Sequence, residues 1–246
     1  MDYIGGMNAP IAVTRYPRRL IGLIGGMSWE STLPYYRHIN EVVRRECGGL
    51  HSARLLLYSV DFAPIERMQR HGDWEGAGIA LAEAARALYV GGAEMIVLCT
   101  NTMHKVADAI EAATPLPLLH IADPTADALN TLGVRRVGLL GTRFTMEQDF
   151  YRARLHKRGF EVLVPDAPAR EQVHRIIYEE LCQGVLRDAS RQTYREVIAN
   201  LVADGAEAIV LGCTEIALLV GAHDATVPLL DTARLHAEAA ALHSLA

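Results

Sequence analysis

The sequence is poor in lysine, in cysteine and in long apolar runs, and each shortage closes off a class of protein. Only Lys105 and Lys157 stand against 22 arginines. A pyridoxal-phosphate enzyme holds its cofactor through a Schiff-base lysine, and neither residue has the strand-end setting that favours this role. The four cysteines, Cys47, Cys99, Cys182 and Cys213, show neither C-x-x-C nor zinc-ribbon spacing, so neither a disulfide scaffold nor a structural zinc is supported. No apolar stretch approaches the ~18 residues a membrane span needs. A net charge of −5 argues against nucleic acid as the main partner, because phosphate binding requires a basic face. The dinucleotide fingerprint, the P-loop, the G-x-S-x-G elbow and the H-E-x-x-H zinc motif are all missing. What is present is a chain of 246 residues, half of them hydrophobic and 22% charged. That is long enough to bury a core without staples. The expectation is a soluble cytoplasmic globular protein whose thiols stay reduced.

Residues 1–19 carry Arg15, Arg18 and Arg19 without the 7–15-residue apolar core of a secretory signal. They are expected to form an N-terminal extension, with Met7 as an alternative start. From Leu20 onward, short aliphatic runs alternate with helical patterns. The strand-like runs are 20–25, 54–60, 95–98, 116–121, 136–141, 161–164, 208–211 and 227–230. Helical patterns cover 29–46, with Ser28 as N-cap, then 73–90, 102–113, 124–132, 146–158, 170–183, 190–203 and 215–220. A last helix begins at Thr232. Strands alternating with helices of this length mean an α/β fold with parallel sheets.

The chain also repeats itself. Ile21-Gly-Leu-Ile-Gly25 matches Val137-Gly-Leu-Leu-Gly141, Gly92-Ala-Glu-Met-Ile-Val-Leu98 matches Gly205-Ala-Glu-Ala-Ile-Val-Leu211, and Pro117-Leu-Leu119 matches Pro228-Leu-Leu230. The matches fall in the same order at offsets of 116, 113 and 111. They predict two pseudo-symmetric lobes, each a mostly parallel sheet flanked by helices, with a site in the cleft between them. The expected boundaries are residues 20–115 plus 227–246 for the first lobe and 116–226 for the second.

Extending the second match reaches Cys99-Thr-Asn-Thr102 on one side and Gly212-Cys-Thr-Glu215 on the other, and the 113 offset sets Thr100 opposite Cys213. Open α/β sheets bind ligands beyond the carboxyl ends of their strands. A thiol above a helix N-terminus is expected to have a lowered pKa there. Two facing lobes would set two proton-transfer groups on opposite sides of one carbon acid, within hydrogen-bond reach of the proton each handles. Backbone dipoles and hydroxyls would stabilise the developing enolate.

The segments Ile21-Gly-Leu-Ile-Gly-Gly-Met-Ser-Trp-Glu-Ser31, Cys99-Thr-Asn-Thr-Met-His104, Gly138-Leu-Leu-Gly-Thr142 and Gly212-Cys-Thr-Glu215 resemble the aspartate/glutamate racemase family. The resemblance is closest to its L-aspartate/glutamate-specific and broad-specificity subgroup, and it runs from about Leu20 to the C-terminus. It implies a cofactor-independent isomerase that racemises a small-molecule amino acid with an acidic side chain, as a homodimer without nucleic-acid or membrane partners. The family usually employs two cysteines. Aligning on Asn101-Thr102 puts Thr100 in the first position, as in the subgroup, so the resemblance and the internal repeat both name Thr100 and Cys213 as the catalytic pair. Cys99, one residue earlier, turns to the opposite face of the strand end and is expected to be a buried small hydrophobe. A Thr hydroxyl is a weak acid and a poor base. Cys213 is therefore the expected base for one enantiomer, with the asymmetry showing in kcat and KM separately while kcat/KM stays equal in the two directions.

For substrate binding the resemblance points to Met27, Asn101, Thr102 and Thr214, with Ser28 beside Met27 in the turn after the first strand. An acidic side chain needs a cation or amide donors, and in the segment 59–70 the nearest matches to the family's recognition arginine are Arg67 and Gln69. The family's lysine ahead of Ile176–Leu181 has no counterpart; Glu171 and Gln172 stand there, with His174 and Arg175 as substitutes. His104, Lys105, Arg135, Arg136, Cys47 and Cys182 read as structural or surface residues. Two rival readings stay open. One is a single-cysteine enzyme resembling maleate isomerase or arylmalonate decarboxylase; the other is a catalytically weak amino-acid-binding protein.

Overall fold

The computed structural model describes residue 16 and residues 18–246. Most of the expected N-terminal extension therefore lies outside the described residues. Backbone N–H groups of Arg18 and Arg19 donate to the carbonyl of Ser244 at 2.9 and 3.1 Å, tying this end of the described chain to the last helix.

Two four-stranded parallel sheets form the frame. The first has the order β2-β1-β3-β4, from β1 (Ile21–Gly25), β2 (Leu55–Ser59), β3 (Met95–Leu98) and β4 (Leu118–Leu119). The second has the order β6-β5-β7-β8, from β5 (Arg136–Gly141), β6 (Glu161–Leu163), β7 (Ala208–Gly212) and β8 (Leu229–Asp231). The repeat seen in the sequence survives down to single hydrogen bonds. Glu94 N–H donates to Leu20 O and Glu207 N–H to Arg136 O, both at 2.8 Å, while Ile96 and Ile209 donate to Pro117 and Pro228, both at 2.9 Å. Central strands buried on both faces are near-continuous aliphatic runs, and β1, β3 and β7 are buried at every position.

The crossovers differ from the expected boundaries. Strand pairing puts β4 in the first sheet and β8 in the second, so Leu118–Leu119 leave the expected second lobe and Leu229–Asp231 leave the expected first. The exchange comes with the helices that follow. Helix α5 (Ala122–Leu132) buries Ala122, Ala126 and Leu129 against Val137, Leu139 and Val210 of the second sheet. The C-terminal helix α11 (Thr232–Leu245) buries Ala233, Ala237, Ala240 and Ala241 against Tyr35, Ile39 and Val43 of α1 (Trp29–Cys47) on the first. The alanine stripe lets the two helices approach closely, and each fully buried aliphatic partner contributes roughly 1.5–3 kcal/mol.

Other elements depart from the sequence reading in ways that shape the site. The segment after β2 is a helix, α2 (Phe62–His71), started by Asp61, whose side chain accepts from Ala63 N–H. It was not expected, because it is only ten residues long and carries a proline in its first turn. Helix α3 is Trp74–Val90. The expected helix 102–113 is a 3-10 turn, Thr102–Val106, followed by α4 (Ala107–Ala113). The expected helix 146–158 is split into α6 (Arg143–Glu147) and α7 (Asp149–Lys157), with Gln148 extended between them. Helix α8 (Ala167–Glu179) leads into a second 3-10 turn, Leu181–Gln183, followed by α9 (Asp188–Ala203) and the short α10 (Ile216–Leu219). At the β1–α1 turn Gly26 has φ +92°, and a Cβ there would meet Val60 O at 2.3 Å, so only glycine fits.

Three buried histidines join the crossovers to the first sheet. His236 on α11 donates from Nε2 to Leu119 O at 2.8 Å, since a carbonyl can only accept, and its Nδ1 then accepts from Tyr35 OH at 2.9 Å. His104 donates from Nδ1 to Thr100 O at 2.7 Å and accepts Ile121 N–H on Nε2 at 3.2 Å. His120 packs on His104 with ring centroids 4.4 Å apart. Burial holds all three neutral, with His120 and His236 pushed down to about 3 and His104 well below its usual value. The unfolded chain therefore binds protons that the fold does not from about pH 6.5 down to about pH 3, and the stabilisation from keeping them neutral is lost as pH falls through that window. The urea midpoint should drop steadily from pH 7 to pH 4, and His120→Gln should flatten the slope; a midpoint unchanged between pH 7 and 5 would contradict this.

Candidate active site

The carboxyl ends of β1, β3, β5 and β7 converge on one cavity. Its wall is formed by Met27, Phe62, Gln69, Thr100, Asn101, Thr102, Thr142, Ile177, Tyr178, Cys182, Cys213, Thr214 and Glu215. The seven site residues named from the sequence, Thr100, Cys213, Met27, Gln69, Asn101, Thr102 and Thr214, all line it. The cavity volume is about 10 Å³, at the lower limit for holding one water.

Thr100 and Cys213 follow β3 and β7, the equivalent central strands of the two sheets, and both are nearly buried, at 6% and 7% exposed. Thr100 is held from below, because His104, one turn on, donates to its carbonyl. Cys99, by contrast, is fully buried in the cluster between α1 and α11 and does not reach the cavity. Its Sγ lies 3.8 Å from Val97 O, and burial pushes the thiol well up. That is the expected small hydrophobe.

The strongest polar contacts of the site belong to a residue outside the expected set. The carboxylate of Glu215, 2% exposed, accepts four hydrogen bonds. Oε2 takes the Cys213 thiol at 3.0 Å and the Thr214 hydroxyl at 2.8 Å. Oε1 takes the Ser28 backbone N–H at 3.0 Å and the Ser28 hydroxyl at 2.9 Å. Glu215 was in sight as the last letter of the Gly-Cys-Thr-Glu motif, but nothing in one dimension sets it against Ser28, 187 residues away. This contact also corrects two expectations. Ser28 sits at the N-cap position of α1 but makes no side-chain cap, because its hydroxyl serves Glu215. Cys213 does not have a lowered thiol pKa. Burial raises it well above the usual value, and the negative Glu215 beside it adds to the rise; these outweigh the helix-terminus effect, since α10 is only four residues long. The resting thiol is protonated and donates to Glu215.

Asn101 donates from Nδ2 to Thr232 Oγ1 at 3.0 Å, and Thr232 in turn donates to Leu211 O at 2.8 Å. The Asn101 Oδ1 is buried without a partner, and a buried acceptor left unmade is costly unless a ligand satisfies it. Thr102 and Thr142 share a hydroxyl contact of 2.9 Å across the two lobes, with Thr145 behind them at 3.4 and 3.2 Å. On the far side, Gln69 of α2 accepts the Tyr178 hydroxyl of α8 at 2.8 Å, and Phe62 stacks on the same ring at 6.3 Å. Phe62, Thr142, Ile177, Tyr178 and Cys182 were not expected as site residues. Phe62 and Tyr178 read in the sequence only as helix or loop positions, and Cys182 as an unpaired packing residue.

The expected recognition cation does not appear in the wall. Arg67 is exposed on the outer face of α2. His174 lies behind Tyr178, with ring centroids 4.8 Å apart, and burial followed by the nearby Arg143 lowers its pKa. Arg175 lines an outer groove with Arg70 and Arg143. Lys105 lies over the Trp74 ring at 4.5 Å and donates to Gln148; neither lysine reaches the cavity. Among the described residues no group of three or more His, Cys, Asp or Glu is placed to hold a metal ion, and no helix is long and apolar enough to cross a membrane.

A search of known proteins agrees with this architecture. Residues 24–240 match the family described as Asp/Glu/hydantoin racemase. A glutamate racemase of Persephonella marina is 27% identical over 142 residues, 56% of this chain and 52% of that protein, so the chain spans about half the length of the glutamate racemases it matches. The broad-specificity amino-acid racemase RacX of Bacillus subtilis is 23% identical over 87% of this chain and 92% of its own. A crystal structure described as that of a putative Asp/Glu racemase from Yersinia pestis is 59% identical with a TM-score of 0.85, covering 93% of this chain and all of that one. The chain belongs to the Asp/Glu/hydantoin racemase family.

Proposed function

We propose that the protein is a cofactor-independent amino-acid racemase in which Thr100 and Cys213 exchange the α-proton on opposite faces of the substrate. The observation that carries the reading is the placement of these two groups at equivalent strand ends of the two sheets, in the wall of one cavity. The names of the relatives support the class of reaction.

The chemistry follows from the contacts. Glu215 accepts the Cys213 proton along the existing 3.0 Å contact, and the resulting thiolate removes the α-hydrogen from one face. A thiol of raised pKa gives a stronger base once ionised, which suits a weak carbon acid. The Thr100 hydroxyl delivers its proton to the opposite face, and the proton held by Glu215 returns to the Thr100 oxygen through solvent, restoring the resting state. Asn101 Oδ1, the buried acceptor without a partner, suits the substrate ammonium. Backbone N–H groups and the hydroxyls of Thr102 and Thr142 suit the carboxylate, whose charge grows as the enolate forms. Starting from the Thr100 side requires deprotonating a far weaker acid, so the two enantiomers differ in kcat and KM.

The reading extends to a homodimer in the cytoplasm. Trp29, Leu33 and Tyr36, each about 60% exposed, fall on one face of α1 and supply an apolar surface for a second copy. A reducing compartment keeps Cys213 a thiol. Light scattering after size exclusion should report about twice the 26.9 kDa chain mass, and Leu33→Glu should shift it to the monomer.

Cys213→Ala should reduce α-proton exchange in deuterated water, followed by NMR, by roughly 10²–10⁴-fold; unchanged exchange would remove Cys213 from the mechanism. Glu215→Gln should lower kcat more than it changes KM. The same substitution should move the pH profile of Cys213 alkylation, read by peptide mass spectrometry, to lower pH, because the negative neighbour that raises the thiol pKa is gone. In the unsubstituted protein alkylation should still be accelerating above pH 9, and a plateau near pH 7 would contradict a protonated resting thiol.

A further inference from the structure

The cavity has two chemically different ends. Thr100, Asn101, Thr102, Thr142, Cys213, Thr214 and Glu215 stand just beyond the strands, where the reacting carbon with its ammonium and carboxylate has to sit. The remaining wall comes from helices: Phe62 and Gln69 on α2, Ile177 and Tyr178 on α8, and Cys182 in the turn after it. This helical end is the part of the wall that faces a substrate side chain in the racemase reading.

That end holds no positive charge. Arg70, Arg143 and Arg175 line a neighbouring groove that shares Tyr178 with this wall, where Arg70 pairs with Glu66 at 3.5 Å and Arg143 lies over the Phe144 ring at 5.5 Å. Among the described residues, the one charged side chain in the wall is the carboxylate of Glu215. An acidic amino acid would bring two carboxylates and one ammonium into a space that already contains a negative group. A buried charge without a partner is strongly unfavourable. A neutral amino acid brings one of each sign, and its ammonium offsets Glu215.

The polar groups at the helical end are neutral and mutually oriented. Tyr178 donates to Gln69 Oε1 at 2.8 Å, and Gln69 Nε2 contacts Met103 Sδ at 2.9 Å, a weak acceptor. The second hydrogen on Nε2 can serve an uncharged acceptor. Phe62 and Ile177 supply apolar contact on either side. We infer that the substrates are amino acids with uncharged side chains, and that Gln69, fixed by Tyr178, is the residue that recognises them. The inference rests on the racemase reading and names its substrate class.

The test is α-proton exchange in deuterated water with the unmodified protein, using both enantiomers of serine, asparagine, glutamine and methionine against aspartate and glutamate. Exchange with the best uncharged substrate should exceed that with either acid by at least about tenfold in kcat/KM. Faster exchange with aspartate or glutamate overturns the inference and leaves racemisation standing. No exchange with any amino acid overturns racemisation itself. Gln69→Ala separates recognition from structure: KM for asparagine or glutamine should rise about tenfold while KM for methionine changes little. An equal rise for all three removes Gln69 as the recognising residue.

Discussion

The candidate site depends on how one buried carboxylate is satisfied. Glu215 receives two donors from Ser28 in the first lobe and two from its own lobe, the Cys213 thiol and the Thr214 hydroxyl. A buried carboxylate is costly unless its oxygens are bonded, so the lobes are held in register by the same group that holds the thiol's proton. Structure and chemistry draw on one interaction: whatever loosens Ser28 from Glu215 also changes the electrostatics of Cys213.

Around this contact the lobes are joined again and again by small, exchanged elements. Helix α5 follows a strand of the first sheet and packs on the second, and α11 does the reverse. Thr102 meets Thr142, and Gln69 meets Tyr178. The cleft walls are therefore crossed by polar contacts on both sides of the reacting position.

Much of the fold was legible because it rests on local periodicity and repetition. Central strands buried on both faces leave aliphatic runs flanked by glycine, and duplicated lobes leave matching segments at a near-constant offset. Thr100 and Cys213 came from that register together with the family resemblance, and Cys99 was set aside because side chains alternate along an extended backbone. Helix α2 was missed because ten residues with an early proline carry little helical signal, and the crossovers were misplaced because β4 and β8 are two and three residues long, too short for a pattern to assign them to a sheet.

The sequence by itself determined the parallel α/β architecture, its duplication, and the residue types set at equivalent strand ends, since each is a property of spacing along the chain. Tertiary structure alone decided the protonation of Cys213, the role of Glu215, and the uncharged character of the helical end of the cavity. These depend on burial and on contacts between residues such as Ser28 and Glu215 or Gln69 and Tyr178, separated by 187 and 109 positions. A helix terminus can be read from sequence and suggests an acidic thiol. The desolvation and the neighbouring carboxylate that reverse it exist only once the chain has folded.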